Sequence, residues 1–140
     1  MADVIYNSFK KDIMNGNIDL DTDTIKVALV TSTYTVNQDT HVDFGDITNE
    51  VTGTGYTARG ATIASAAVTQ DNTDNEGVFD GADVTWTTST ITARGAVIYL
   101  DSGSDATSYL VAYLDFTTDQ TSSSGDFTIA WGTEGILNLN

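Results

Sequence analysis

The sequence predicts a mainly β, single-domain fold, an antiparallel β-sandwich or barrel-like arrangement with one short N-terminal α-helix. Three observations predict it. Threonine occupies 24 of the 140 positions, and with Val, Ile, Tyr, Phe and Trp it favours pleated, half-exposed strands over helices. From about residue 24 onward the apolar period shortens toward two. Clusters rich in Gly, Asn, Asp and Ser then punctuate the chain at intervals, and these residues favour turns by tolerating positive φ or bonding their own backbone.

The helix is expected over about residues 3–15. In "DVIYNSFKKDIM", Ile5, Phe9 and Ile13 recur every four residues with Tyr6 and Met14 beside them, leaving Lys10, Lys11 and Asp12 outside the stripe. Gly16 stops it, since a glycine after the last periodic residue closes a helix in the left-handed conformation. "TIKVALVTST" reads as a strand partly buried on both faces, with Ile25, Val27 and Leu29 on one side. A polar connection through "NQDTHVDFGDITNE" follows. Further strands are expected in "GYTARGATIASAAVT", "VFDGADVTWTT", "TITARGAVIYL", "SYLVAYLDFTT", "DFTIAWG" and "GILNLN", with turns at "QDNTDNEG", "DSGSDATS" and "TDQTSSSG". About seven strands after one helix make a sandwich or barrel. Residues 1–140 form one domain, because no segment is long or biased enough to act as a linker. Without proline, edge strands rely on charge, bulges or a neighbouring subunit for protection.

A domain of this size buries roughly 68% of the surface its unfolded chain exposes, so it needs no staple. The absence of Cys excludes disulfides, Cys-ligated zinc and thiol catalysis. Its opening residues lack the charge pattern of an export signal, and no apolar run approaches the roughly 20 residues of a membrane-spanning helix. A soluble protein is expected. Twenty acidic residues against five basic ones give a net charge of −15, and the cations Lys10, Lys11, Lys26, Arg59 and Arg94 are scattered. Nucleic acid and anionic membranes are therefore expected to be excluded as partners, since both bind through clustered Lys and Arg.

Signatures of chemistry are sparse. His41 is the single histidine, no G-x-S-x-G accompanies it, and a loop-packing role is expected. The glycines of "GTGYTARG" miss nucleotide-loop spacing. Asp19, Asp21 and Asp23 match the first three positions of a calcium loop, but Thr24 stands where its glycine belongs and Val30 where its bidentate glutamate belongs. "DNTDNEG" could also gather carboxylates, though a hairpin turn explains it equally well. Trp86, Trp131, Tyr99, Tyr109 and Tyr113 suit a core or subunit interface better than a sugar platform. No cofactor is expected, and no enzymatic activity.

The word Thr-Ala-Arg-Gly-Ala occurs twice, at 57–61 and 92–96, and uses both arginines of the chain. A single recurrence is not a solenoid period. In strands, Arg59 and Arg94 would lie across one face with each guanidinium paired to an aspartate of its own or a neighbouring subunit. Arg94 and Arg59, with Ile5, Phe9 and Ile13 of the helical stripe, are the candidate interface residues.

The phrases "DTIKVALVTS", "ITNEVTGTGY", "DVTWTTSTITARGAVIY" and "GDFTIAWGTEGIL" resemble a group of small virion proteins of tailed bacteriophages, of the head-decoration or capsid-cement type. In order they cover most of the chain. The resemblance implies a non-enzymatic protein on the outer capsid surface that binds the major capsid protein, self-associates, most simply as a homotrimer, and stabilises the head after assembly in the host bacterial cytoplasm. Its rivals are a tail or head-fibre adhesin that contacts host-surface glycans and a tail-tube or tail-completion component.

Overall fold

The computed structural model describes residues 2–140. Eight strands, one helix and two short 3-10 turns form two antiparallel sheets, the sandwich-like single domain that the period-two patterning demands. The larger sheet has the order β1-β7-β6-β2-β3, from Val4–Ile5 (β1), Ile25–Val30 (β2), Ala61–Thr62 (β3), Val84–Leu100 (β6) and Leu110–Ile129 (β7). The smaller has the order β4-β5-β8, from Ala67–Asp71 (β4), Glu76–Asp80 (β5) and Leu137–Leu139 (β8).

The helix, α1, is shorter than its periodicity implies and spans Asn7–Asn15. Val4 and Ile5 pair instead with Tyr113 and Ala112 of β7, and Tyr6 remains extended at ψ 141°. Residues at the head of an apolar stripe serve equally well as an edge strand, and here the backbone pairing wins. The helix closes at Gly16 (φ 75°), whose N–H reaches the carbonyls of Asp12 and Ile13. Its buried residues are Phe9 and Asp12, with Tyr6 buried just before it, while Met14 is 87% exposed. Asp12 was expected in solvent; it is instead buried, because Asn17 Nδ2 donates to its carboxylate at 3.1 Å and Lys11 Nζ lies 3.5 Å away.

β2 is the strand its sequence announces, with all residues but Lys26 buried, matched in register to β6 from Ile25 against Leu100 to Val30 against Gly95. The expected strand over 78–88 divides, with Val78–Asp80 ending β5 and Val84 opening β6, which continues through the next expected strand, 90–100, for 17 residues in all. β7 runs for 20, so "TDQTSSSG" is strand and not the expected turn. Its serines and threonines face their counterparts across the ribbon. Ser122 and Ser89 share a buried 2.7 Å hydroxyl contact, and Thr92 with Thr121 and Thr85 with Thr128 make exposed ones at 3.1 and 2.9 Å. Register shifts between Trp86 and Ser89, Ser89 and Ile91, and Ala93 and Gly95 bend this hairpin.

The bend folds β7 so far that Phe116 and Phe127 come together with ring centroids 6.2 Å apart. The inner half of the ribbon, Ala96–Tyr99 and Leu110–Leu114, is buried on both faces. The outer half alternates, with Trp86, Ile91, Phe127 and Ile129 inward and the threonines outward. The β4–β5 hairpin turns at Asp71–Glu76 as its Asx-rich sequence predicts, and all of β4 except Asp71 is exposed.

Candidate functional site

The two copies of Thr-Ala-Arg-Gly-Ala take different conformations. At 57–60 the chain makes a left-handed turn, with Arg59 at φ 74° and Gly60 at φ 72°, so Arg59 does not lie in a strand as expected. Gly60 rests against β2: a Cβ there would sit 1.9 Å from the Val27 carbonyl oxygen, and only glycine permits that approach. The second copy stays within β6. There Gly95 admits the Tyr113 hydroxyl, which a Cβ would meet at 2.5 Å.

The turn aims Arg59 into a polar knot. Its backbone N–H donates to Glu50 Oε1 at 2.6 Å, and the Tyr56 hydroxyl donates to the same oxygen at 2.8 Å while accepting from Leu29 N at 2.9 Å. The Tyr99 hydroxyl donates to the Arg59 carbonyl at 2.6 Å. The guanidinium donates to Asp101 at 2.6 Å, to Ser108 Oγ at 2.9 Å and to Asp105, and lies 4.7 Å from the centroid of Phe44. Lys26 Nζ reaches the other oxygen of Asp101 at 2.8 Å. One cluster thus ties β2, the 57–60 turn, the end of β6 and the β6–β7 loop.

Burial pushes the Asp101 carboxyl up, but the hydrogen bonds from Lys26 and Arg59 outweigh it and hold the group well below the usual carboxylate range. Burial drives the Tyr56 and Tyr99 phenols well above their ordinary values, so both remain protonated donors. Such a knot fixes geometry: it holds the guanidinium, the Asp101 carboxylate and the Tyr56 and Tyr99 hydroxyls each on named partners.

Arg94 is placed more simply. It lies in β6 at the largest register shift of the ribbon, and its Nε donates to Asp119 Oδ1 at 2.9 Å with the side chains 36% and 47% exposed. Phe9 is 2% exposed and fills the core of its own chain, with Ile5 and Ile13 half-buried against it. The interface candidates are therefore not gathered on one face. Phe9 is withdrawn into the domain, Arg59 into the knot, and Arg94 stands at the bulge.

The aspartates of the calcium-like stretch cap backbone amides. Asp23 accepts from Asp19 N at 2.7 Å, Asp19 from Asp21 N at 3.0 Å, and Asp21 from Val68 N at 3.0 Å, which blunts the exposed strand β4. Among the described residues, the acidic trio whose oxygens lie within 4.8 Å of one another is Asp74, Glu76 and Glu134, not Asp19, Asp21 and Asp23. His41 packs against Tyr34, whose hydroxyl lies 2.9 Å from Nδ1 and 3.0 Å from the buried Tyr6 hydroxyl. Of the aromatic residues that could have formed a platform, Trp86, Tyr99 and Tyr113 are buried, and the Trp131 indole N–H donates to the Ala82 carbonyl at 2.9 Å.

Sequence reasoning missed Glu50, Asp101, Asp105 and Ser108 as the partners of Arg59. The signal available was the Asp- and Ser-rich stretch after Leu100, which directly follows the 17-residue strand β6. Comparison with protein-family models, with curated proteins and with solved structures yields no match to this chain.

Proposed function

We propose that this chain is a non-enzymatic virion structural protein, a decoration protein that binds the outside of a shell of major capsid protein and stabilises the head. The observation that carries the reading is the distribution of charge over the long β6–β7 ribbon. Lys26, Arg59 and Arg94 are each paired with aspartates of the same chain, so the remaining exterior is strongly anionic. Such a surface repels packaged nucleic acid and keeps the protein dispersed until it meets its shell. The resemblance of its phrases to small phage virion proteins supports the same reading.

Among the described residues, Thr85, Thr92, Thr121 and Thr128 form an exposed stretch of paired hydroxyls on the outer half of the ribbon. This is the face proposed for self-association into a homotrimer, with Arg94 at its margin. Helix α1, packed on β7, supports the ribbon from within the domain.

Mixing the purified protein with expanded, DNA-free heads tests the reading. The expected result is saturable co-sedimentation and density on the outer surface in a cryo-EM map. Density confined to the tail, or no binding at micromolar protein, would sink it. Sedimentation equilibrium tests the trimer separately, and Thr92→Glu with Thr121→Glu is expected to leave monomers.

A further inference from the structure

β7 has an open edge. β1 pairs with it only at Ala112 and Tyr113, and just beyond, the Asp3 carboxylate accepts from Asp115 N at 2.6 Å. Among the described residues, no strand pairs with Phe116–Ile129 on the side away from β6. Because the ribbon curls, residues 114–116 and 126–130 face each other across a groove of about 380 Å³. Its apolar walls are Phe116, Phe127 and Ile129, and its charged rim is Asp3, Asp115 and Asp126; no Lys or Arg lines it.

We propose that this groove is a docking slot for an extended segment of another protein, one that presents an apolar side chain between Lys or Arg residues. Extended segments add to exposed sheet edges through backbone hydrogen bonds, and pockets beside the edge select alternate side chains. Phe116 and Phe127 offer the apolar pocket, and the three carboxylates select cations. The same carboxylates reject a second copy of this chain, whose net charge is −15. The acidic rim therefore protects the edge from self-pairing and leaves it open to a basic strand. This inference rests on the groove and not on the virion reading, although Thr121 and Thr128 line the groove as well as belonging to the threonine face.

The test is an NMR titration of labelled protein with a blocked heptapeptide alternating lysine and valine. Two control peptides carry glutamate for every lysine, or proline at the central position. Saturable shifts confined to residues 114–116 and 126–130 are expected. Asp126→Lys should weaken binding about tenfold, with loss of most affinity for both controls. Should Asp126→Lys unfold by circular dichroism, Asp126→Asn is the substitute, expected to weaken binding less but measurably. Shifts spread over the acidic surface, equal binding of the proline peptide, or no saturation at millimolar peptide would overturn the proposal. So would shifts at Phe116, Phe127 and Ile129 arising from protein concentration alone, which would assign the groove to a second copy.

Discussion

Removing Arg59 is expected to destabilise the domain several-fold more than removing Arg94, although both stand in the same five-residue word and both pair with aspartate. The Arg59 guanidinium holds Asp101 and Ser108 at a site where its own side chain is 25% exposed and that of Asp101 is 13% exposed. Hydrogen bonds to charged groups contribute about 1.5–3 kcal/mol each when sheltered. The Asp105 contact adds little, because that carboxylate is 61% exposed and exposed pairs give about 0–1 kcal/mol. Asp101 keeps Lys26 after the change, so no charge is orphaned and the loss stays below that of an abandoned buried ion. Arg59→Ala should therefore lose about 2–4 kcal/mol. Arg94→Ala removes one half-exposed contact and should lose about 0.5 kcal/mol. Urea denaturation followed by tryptophan fluorescence measures both, with an unchanged slope as the check that the unfolded states are alike. Equal losses for the two variants, or a loss under about 1 kcal/mol for Arg59→Ala, would refute the argument that burial of the knot sets its worth.

Three further outcomes follow from the same geometry. The folded Asp101 carboxyl is held below its unfolded value near 3.9, so its contribution is complete above about pH 4 and is lost as pH falls toward the folded value. Urea midpoints from about pH 5 to pH 2 should fall less steeply for Asp101→Asn than for the parent chain. Gly60→Ala forces a Cβ to within 1.9 Å of the Val27 carbonyl oxygen at φ 72°, and a loss above about 3 kcal/mol or failure to fold is expected on thermal melting. Asp21→Ala uncaps Val68 N and should lose about 1 kcal/mol, while millimolar calcium leaves the melting temperature of the parent chain unchanged, as calorimetry would record.

The sequence made the fold class legible where one physical signal acts without a rival. Gly16 ends the helix, the apolar run 25–30 makes a doubly buried strand, and the Asx-rich 71–76 makes a hairpin turn. It misled where residues have two uses. Ser, Asp and Gly in 118–125 favour turns in isolation, yet beside Ser89, Thr90 and Thr92 they find hydroxyl partners and continue a strand. Ile5 fits a helical stripe and a strand edge alike, and only the presence of Ala112 opposite decides. Asp19, Asp21 and Asp23 carry the composition of a cation loop, but their amide partners are set by the chain's return at Val68, far along the sequence.

The repeated word argues the same point most sharply for the candidate site. Identical residues at 57–61 and 92–96 give a left-handed turn in one place and an unbroken strand in the other. The difference lies in what each glycine abuts: Gly60 meets backbone of β2, which leaves no room for the extended path, and Gly95 meets the Tyr113 hydroxyl across the ribbon. Arginine then follows its backbone, inward to Asp101 at the turn and outward to Asp119 at the bulge. A motif search would give the two arginines one role. The neighbouring strands instead assign Arg59 to holding the domain together and leave Arg94 at the margin of the threonine face, which makes Arg94 the arginine to mutate when assembly is measured and Arg59 the one to mutate when stability is.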